Sequence, residues 1–312
     1  MRTMSAPINF GTVALGQCVT AIFHPVGHAK ILIQLGHEPV PAKLGTNIFG
    51  KQYYYYPNIL KYAGHIWTRD GFLGMYTGLL PRVLGAFTGT CTQNAVLEWL
   101  RQDEKKEEEE EEEGKDWIKT LCIKTGQETV AKCAAVIASQ PFHVIMVRQI
   151  AQFVGGEKMY CGLFSGIGEI YHSDGIRGFF AGLTPRLIGE VIQIWACNLI
   201  IGSVNRYIIP TKNLYTWELP GEAQNYVPLF VGLVVSNFTY PFTLVSNVMA
   251  VAGTELVAAS PPNMKPYASW TECWSHLKEM GHLKRGNSQF FRVDRSRMVQ
   301  PVLKRTPGQS FY

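Results

Sequence analysis

The chain has 312 residues, 46% of them hydrophobic, with net charge +5 and a mean hydropathy of only +0.01, averages that suggest a soluble protein. They mislead, because Asp103 to Asp116 holds ten acids against three lysines and leaves +12 on the remaining chain. The basic residues are spread over loops and helix ends, which argues against nucleic acid and for an anionic membrane surface, and seven scattered cysteines suggest neither a disulfide framework nor a zinc site.

In chain order, the first apolar stretch runs from Ile8 to Leu35, carries Lys30, and is kinked at Pro25. A proline inside a helix removes a backbone hydrogen bond, a loss tolerated where neighbouring helices satisfy the freed carbonyl. A loop follows with Lys43, Lys51 and the run Tyr53 to Tyr56, tyrosines that suit either the headgroup level or a packed turn. Ile59, Leu60, Ala63, Ile66 and Trp67 recur at helical spacing and predict a short amphipathic helix. It ends in the block GFLGMYTGLLPR, Gly71 to Arg82, whose glycines permit tight turns. Pro81 opens the next helix there, and Arg82 is expected to be a solvated anchor. Val83 to Leu100 is the second span, with Gln93, Asn94, and Gly85 and Gly89 at close-packing spacing. The acidic run, with seven consecutive glutamates, predicts a solvated, disordered linker.

The same pattern then recurs. A third span, about Trp117 to Phe153, carries Glu128, Lys132 and Arg148 and is kinked at Pro141. Leu163, Phe164, Ile167, Ile170 and Tyr171 form the second amphipathic helix, and GIRGFFAGLTPR, Gly175 to Arg186, repeats the block with Pro185 and Arg186 in place. A fourth span, Leu187 to Ile209, holds Glu190, Gln193 and Asn198; a fifth, Tyr226 to Val251, holds Ser236 and Asn237 and is kinked at Pro241. Trp270, Cys273, Trp274, Leu277 and Met280 form the third amphipathic helix, and the block survives only as GHLKRGNSQFFR, Gly281 to Arg292. Where the repeat calls for a sixth span, Val293 to Tyr312 carries Asp294, Arg295, Arg297, Lys304, Arg305 and two prolines. Each central charge costs about 2.5 to 3.5 kcal/mol, so this stretch cannot cross a bilayer.

Register, motif and order agree in three copies, which marks an internal repeat. The predicted fold is an all-α membrane protein, a three-repeat bundle of five transmembrane helices, three of them kinked, with three surface helices and the sixth transmembrane helix missing. The repeats cover residues 1–102, 117–212 and 222–292, joined by linkers 103–116 and 213–221 and followed by a polar tail, 293–312. More basic residues lie on the side of the amphipathic helices than opposite, which predicts that side to be cytosolic. His24 and His28 have metal-like spacing, but Pro25 and Gly27 intervene and no general base follows. No serine elbow, paired carboxylates, phosphate loop or dinucleotide fingerprint is present, so catalysis and a cofactor are not expected.

Kinked helix, surface helix, glycine block and second helix in three copies resemble the mitochondrial solute carrier family, six-helix bundles around a central path. Members of that family follow each kink proline with an acid two places on and bases five and seven places on, forming charge pairs that close one end. Here the acidic places hold Gly27, His143 and Thr243, and the basic places Lys30, Met146, Ser246, Leu32, Arg148 and Val248, so no pair survives. Lost pairs and a missing last helix, with strings such as Asn47-Ile48-Phe49-Gly50, Pro141-Phe142-His143-Val144-Ile145 and Arg285-Gly286-Asn287-Ser288, resemble the carrier homologs of the outer mitochondrial membrane. The resemblance implies an outer-membrane insertase whose partners are tail-anchored and other α-helical clients, with family links to the apoptotic protein BID and to lipid scrambling. A receptor role and small-solute transport are the alternatives. By the carrier arrangement Lys30, Gln93, Asn94, Glu128, Lys132, Arg148, Glu190, Gln193, Asn198, Ser236 and Asn237 would line a polar groove open to lipid. Glu128 and Lys132, at i and i+4, equally suit a simple pair, and Asn94 or Asn237 a bond to kinked backbone.

Overall fold

The computed structural model describes residues 10–46, 50–107, 117–207 and 223–294. The linker 213–221, Asn47 to Phe49, residues 108–116 of the acidic run and residues 295–312 of the tail lie outside these. Helices α1 (Phe10–Ile22) and α2 (His24–Leu35) meet at the first kink and bend by 58°. After them come α3 (Ile59–Gly74), α4 (Leu79–Glu107), α5 (Trp117–Ala151), α6 (Leu163–Gly178), α7 (Leu183–Tyr207), α8 (Ala223–Val251) and α9 (Trp270–Glu279). Pro141 and Pro241 sit inside continuous helices. The first five residues of the predicted acidic linker belong to α4.

Three helical segments, 118–151, 183–204 and 226–251, are long and apolar enough to cross a membrane, and the bent α1–α2 pair makes a fourth. The expected second span falls short of that test. At 29 residues α4 has the length, but Thr88, Thr90, Thr92, Gln93, Asn94 and Glu98 dilute its apolar character. Thr90 and Gln93 face an internal cavity, so the helix spends polar residues inward. Within a bilayer helices associate by close packing, since lipid is as apolar as leucine. Gly85 and Gly89 accordingly face Phe142 and Ser139 of α5.

The parts of the odd-numbered spans that follow the prolines converge. Leu32 and Ile33 of α2, Val144, Val147 and Ile150 of α5, and Leu244 and Val248 of α8 bury in one cluster, beneath Ile59, Tyr62 and Ile66 of α3, Ile170 of α6, and Cys273 and Leu277 of α9. Asn58 caps α3 by accepting from the Lys61 amide at 3.0 Å, and Ser269 caps α9 by accepting from the Glu272 amide at 3.2 Å. The apolar stripes of the surface helices are wider than their buried faces: Leu60, Trp67, Phe164 and Tyr171 point outward, as suits helices lying in a membrane interface. Each block opens with a left-handed glycine, at φ 73° for Gly71, 64° for Gly175 and 68° for Gly281, which separates surface helix from following turn. At Gly182 an added Cβ would collide with the Ser246 carbonyl, so the second block can approach α8 only as glycine.

The loop before α3 is a hairpin. Strands β1 (Lys43–Thr46) and β2 (Gln52–Tyr56) pair antiparallel, and β2 takes a third strand, β3 (Arg292–Val293), with Tyr56 opposite Arg292 and Tyr55 opposite Val293. The tyrosine run is therefore half-buried strand. The predicted tail begins inside this sheet: the Asp294 amide donates to the Tyr54 carbonyl at 2.8 Å and the Tyr56 hydroxyl to the Asp294 carboxylate at 3.2 Å. Truncation after Asp294 is expected to leave the yield of folded, detergent-extracted protein unchanged. Truncation after Phe291 should lower it by removing the strand and Arg292 together.

Candidate functional site

The residue before each kink proline ties its span to the glycine block of its own repeat. His24 donates from Nε2 to the Thr77 carbonyl at 2.9 Å, Gln140 from Nε2 to the Ala181 carbonyl at 2.9 Å, and the Tyr240 hydroxyl to the Arg285 carbonyl at 2.6 Å. His28 donates from Nδ1 to the Met75 carbonyl at 3.3 Å, so the two histidines brace the first block. These ties swing the starts of α4 and α7 inward. Arg82 and Arg186, expected as solvated anchors, consequently line the central cavity, and the third, Arg292, is buried against Glu38 and the Pro57 carbonyl.

The cavity holds about 500 Å³ between α2, α4, α5, α7 and α8. Of the predicted groove residues it takes Lys30, Gln93, Lys132 and Glu190; to these the structure adds Gln34, Arg82, Ser139, His143, Arg186 and Asn247. Four cations thus face one carboxylate. Glu190 pairs with Lys132 at 3.7 Å, and Arg186 donates to Gln140 Oε1 at 2.7 Å. Lys30 Nζ stands 5.2 Å over the Tyr240 ring, and the Arg82 guanidinium packs over Gly27. Among the described residues neither Lys30 nor Arg82 has a carboxylate partner.

The other predicted groove residues lie outside the lining. Glu128 accepts from Asn198 Nδ2 at 2.7 Å, a cross-helix bond in place of the i, i+4 pair with Lys132. Gln193 accepts from the Thr239 hydroxyl at 2.8 Å. Ser236 and Asn237 both donate to the Leu233 carbonyl at 2.8 Å, Asn237 Oδ1 also accepts from Asn287 Nδ2 of the third block at 2.9 Å, and Asn94 is half-buried on α4. Arg148 is 1% exposed, pairs with Asp174 of α6 at 2.7 Å, and donates from Nε to the Ala250 carbonyl at 3.0 Å. It fastens a surface helix to two spans and leaves the cavity to others.

The cavity floor is a neutral chain across three spans. Asn247 Nδ2 donates to Gln34 Oε1 at 2.7 Å, Gln34 Nε2 to the Tyr240 hydroxyl at 2.9 Å, and His143 Nε2 meets Asn247 Oδ1 at 2.9 Å. The Arg285 guanidinium adds a bond to the Gln34 carbonyl. Amides, an imidazole and a phenol therefore join the converging helices where the sequence lacks charge pairs. Gln34, His143 and Asn247 had a signal: each is polar within an apolar run, two to nine residues past a kink proline.

Below the floor, in the loop after α2, burial pushes Glu38 from its usual 4.5 up to about 7, despite the opposing pull of Arg292 and then Arg285 and with help from Asp294. The folded protein thus keeps a proton that the unfolded chain releases. Stability is expected to fall as pH rises from about 4.5 to about 7 and to level off above, by roughly 3 kcal/mol at most. Thermal unfolding across that range checks this, and Glu38→Gln should flatten the profile.

A three-repeat helical bundle around a polar cavity is the carrier architecture, and comparison with known families agrees. The profile for mitochondrial carrier proteins matches residues 4–104 and 128–211, and the chain belongs to the mitochondrial carrier family. Within it the chain is 40% identical over 284 residues to mitochondrial carrier homolog 2 of Mus musculus, covering 90% of this chain and 92% of that protein. It is 37% identical to mitochondrial carrier homolog 1 of Mus musculus, over 90% of this chain and 75% of that one. The mitochondrial thiamine pyrophosphate carrier of Homo sapiens is more distant, at 28% identity over 89% of this chain and 81% of that carrier.

Proposed function

We propose that this protein inserts α-helical clients, tail-anchored ones above all, into the outer mitochondrial membrane through its central cavity, with the surface helices on the cytosolic side. The observation that carries this reading is a polar cavity of about 500 Å³ whose floor is bolted by a neutral hydrogen-bond chain. A transporter that alternates its access must break such a floor each cycle, and reciprocal charge pairs re-form on either side in a way these buried amides do not. The third repeat supplies the other half of the argument. Its block leads into a charged stretch where the first two repeats place α4 and α7, so one wall of the cavity lacks a helix among the described residues. A client must carry a short polar terminus through hydrocarbon; cavity side chains replace part of its lost hydration while its apolar helix moves sideways into lipid. Direct docking of BID and movement of lipid headgroups would use the same opening. Purified protein in liposomes, scored for a tail-anchored client against a β-barrel client, tests the reading. Flux of small solutes without client insertion would replace it with transport.

A further inference from the structure

We infer that Lys30 and Arg82 form a receiving site for the terminal α-carboxylate of the client chain, an inference that rests on the insertase reading above. Whatever its side chains, a tail-anchored polypeptide sends its own C-terminus across first, with a negative charge that is costly to strip of water. Of the four cavity cations, two are already engaged: Lys132 by Glu190 at 3.7 Å and Arg186 by Gln140 at 2.7 Å. The remaining two stand on adjoining walls. Arg82 enters from the first turn of α4 and packs over Gly27, one turn before Lys30 on α2, so both charges face the same part of the cavity. The Tyr240 ring, 5.2 Å from Lys30 Nζ, holds the ammonium in place without neutralising it. Gln34 and Asn247 beneath them spend their amide groups on each other and on Tyr240, so the floor offers little competition for an incoming anion. A guanidinium fork beside an ammonium is the donor set that a carboxylate fits.

The test uses the full chain and synthetic tail-anchor peptides with uncharged tail side chains, ending in a free acid or an amide. Binding to the detergent-solubilised protein is read by fluorescence, and insertion by protease protection in liposomes. The acid is expected to bind about tenfold more tightly than the amide. Lys30→Gln and Arg82→Lys should each shrink that ratio towards one, whereas Lys265→Gln, on an exposed loop, should leave it intact. Lys30→Gln keeps the test decisive should an Arg82 variant fail to fold. Equal binding of acid and amide by the unaltered protein would overturn the site, as would loss of peptide binding to anionic lipid with no acid preference, which would assign the two cations to a phosphate headgroup. Acid-selective binding without insertion of either peptide would keep the site and remove the insertase reading.

Discussion

Insertion of a client whose tail ends in several lysines is expected to rise several-fold when Lys30 becomes glutamate. Three unbalanced positive charges face the cavity, and unit charges about 6 Å apart interact by roughly 3 kcal/mol at an effective dielectric of 20. That bounds the change at about a hundredfold, and solvent in an open cavity cuts it well below. Several basic side chains on one tail outweigh its single carboxylate, so the reversal favours such tails even though it removes one arm of the carboxylate site. Glu190→Arg should act oppositely, because it deprives Lys132 of its partner and adds another cation. With neutral tails the effect of Glu190→Arg should shrink, and that of Lys30→Glu should turn into a loss, since the terminal carboxylate is then the only charge that meets the altered site. Insertion of matched basic and neutral tails at equal protein levels measures them, and identical changes on both tails would show that these residues support the bundle and do not sort clients.

Asp174→Ala is expected to cost about 3 kcal/mol of stability, the low end for removing one partner of a buried pair, because Asp174 keeps 30% of its side chain exposed. The loss strands the guanidinium of Arg148, whose NH1 already lacks a partner. Arg148→Met should cost less, since it removes the buried charge itself and leaves a partly solvated carboxylate. Thermal unfolding of the detergent-purified variants ranks them. A more severe effect from Arg148→Met would mean that its bond to the Ala250 carbonyl, and not the ion pair, holds α5 to α8.

Much of the architecture is legible in the residues because repetition is written locally. Kink prolines, apolar periods and glycine blocks each need only a dozen neighbouring residues, and they locate the helices to within a few positions, except that α4 runs seven residues past the expected Leu100. The direction a polar side chain faces is another matter, since it depends on how three repeats meet. Arg82 and Arg186 read as anchors because each follows a turn, and only the ties from His24 and Gln140 to block carbonyls show that those turns swing inward. Arg148 read as a groove cation because its partner, Asp174, lies in another element and no local spacing links them. The third strand was hidden for a similar reason: Tyr55 and Tyr56 pair with Val293 and Arg292, more than two hundred positions away.

That sheet also governs how the bundle can deform. By joining β3 to β2 it welds the last repeat to the first along the rim that carries the surface helices, with Arg292 and Glu38 as a rivet. At the far rim α1 leans away at 58° and packs on α4 and α2 alone among its principal neighbours, while α8 keeps to α7, α5, α2 and α9. Any widening of the wall between them must therefore pivot about the welded edge, like a book opened from its spine. On the insertase reading proposed above, such an opening would be a wedge, wider away from the sheet than beside it, and a client helix leaving through it would have to tilt before standing upright in the bilayer.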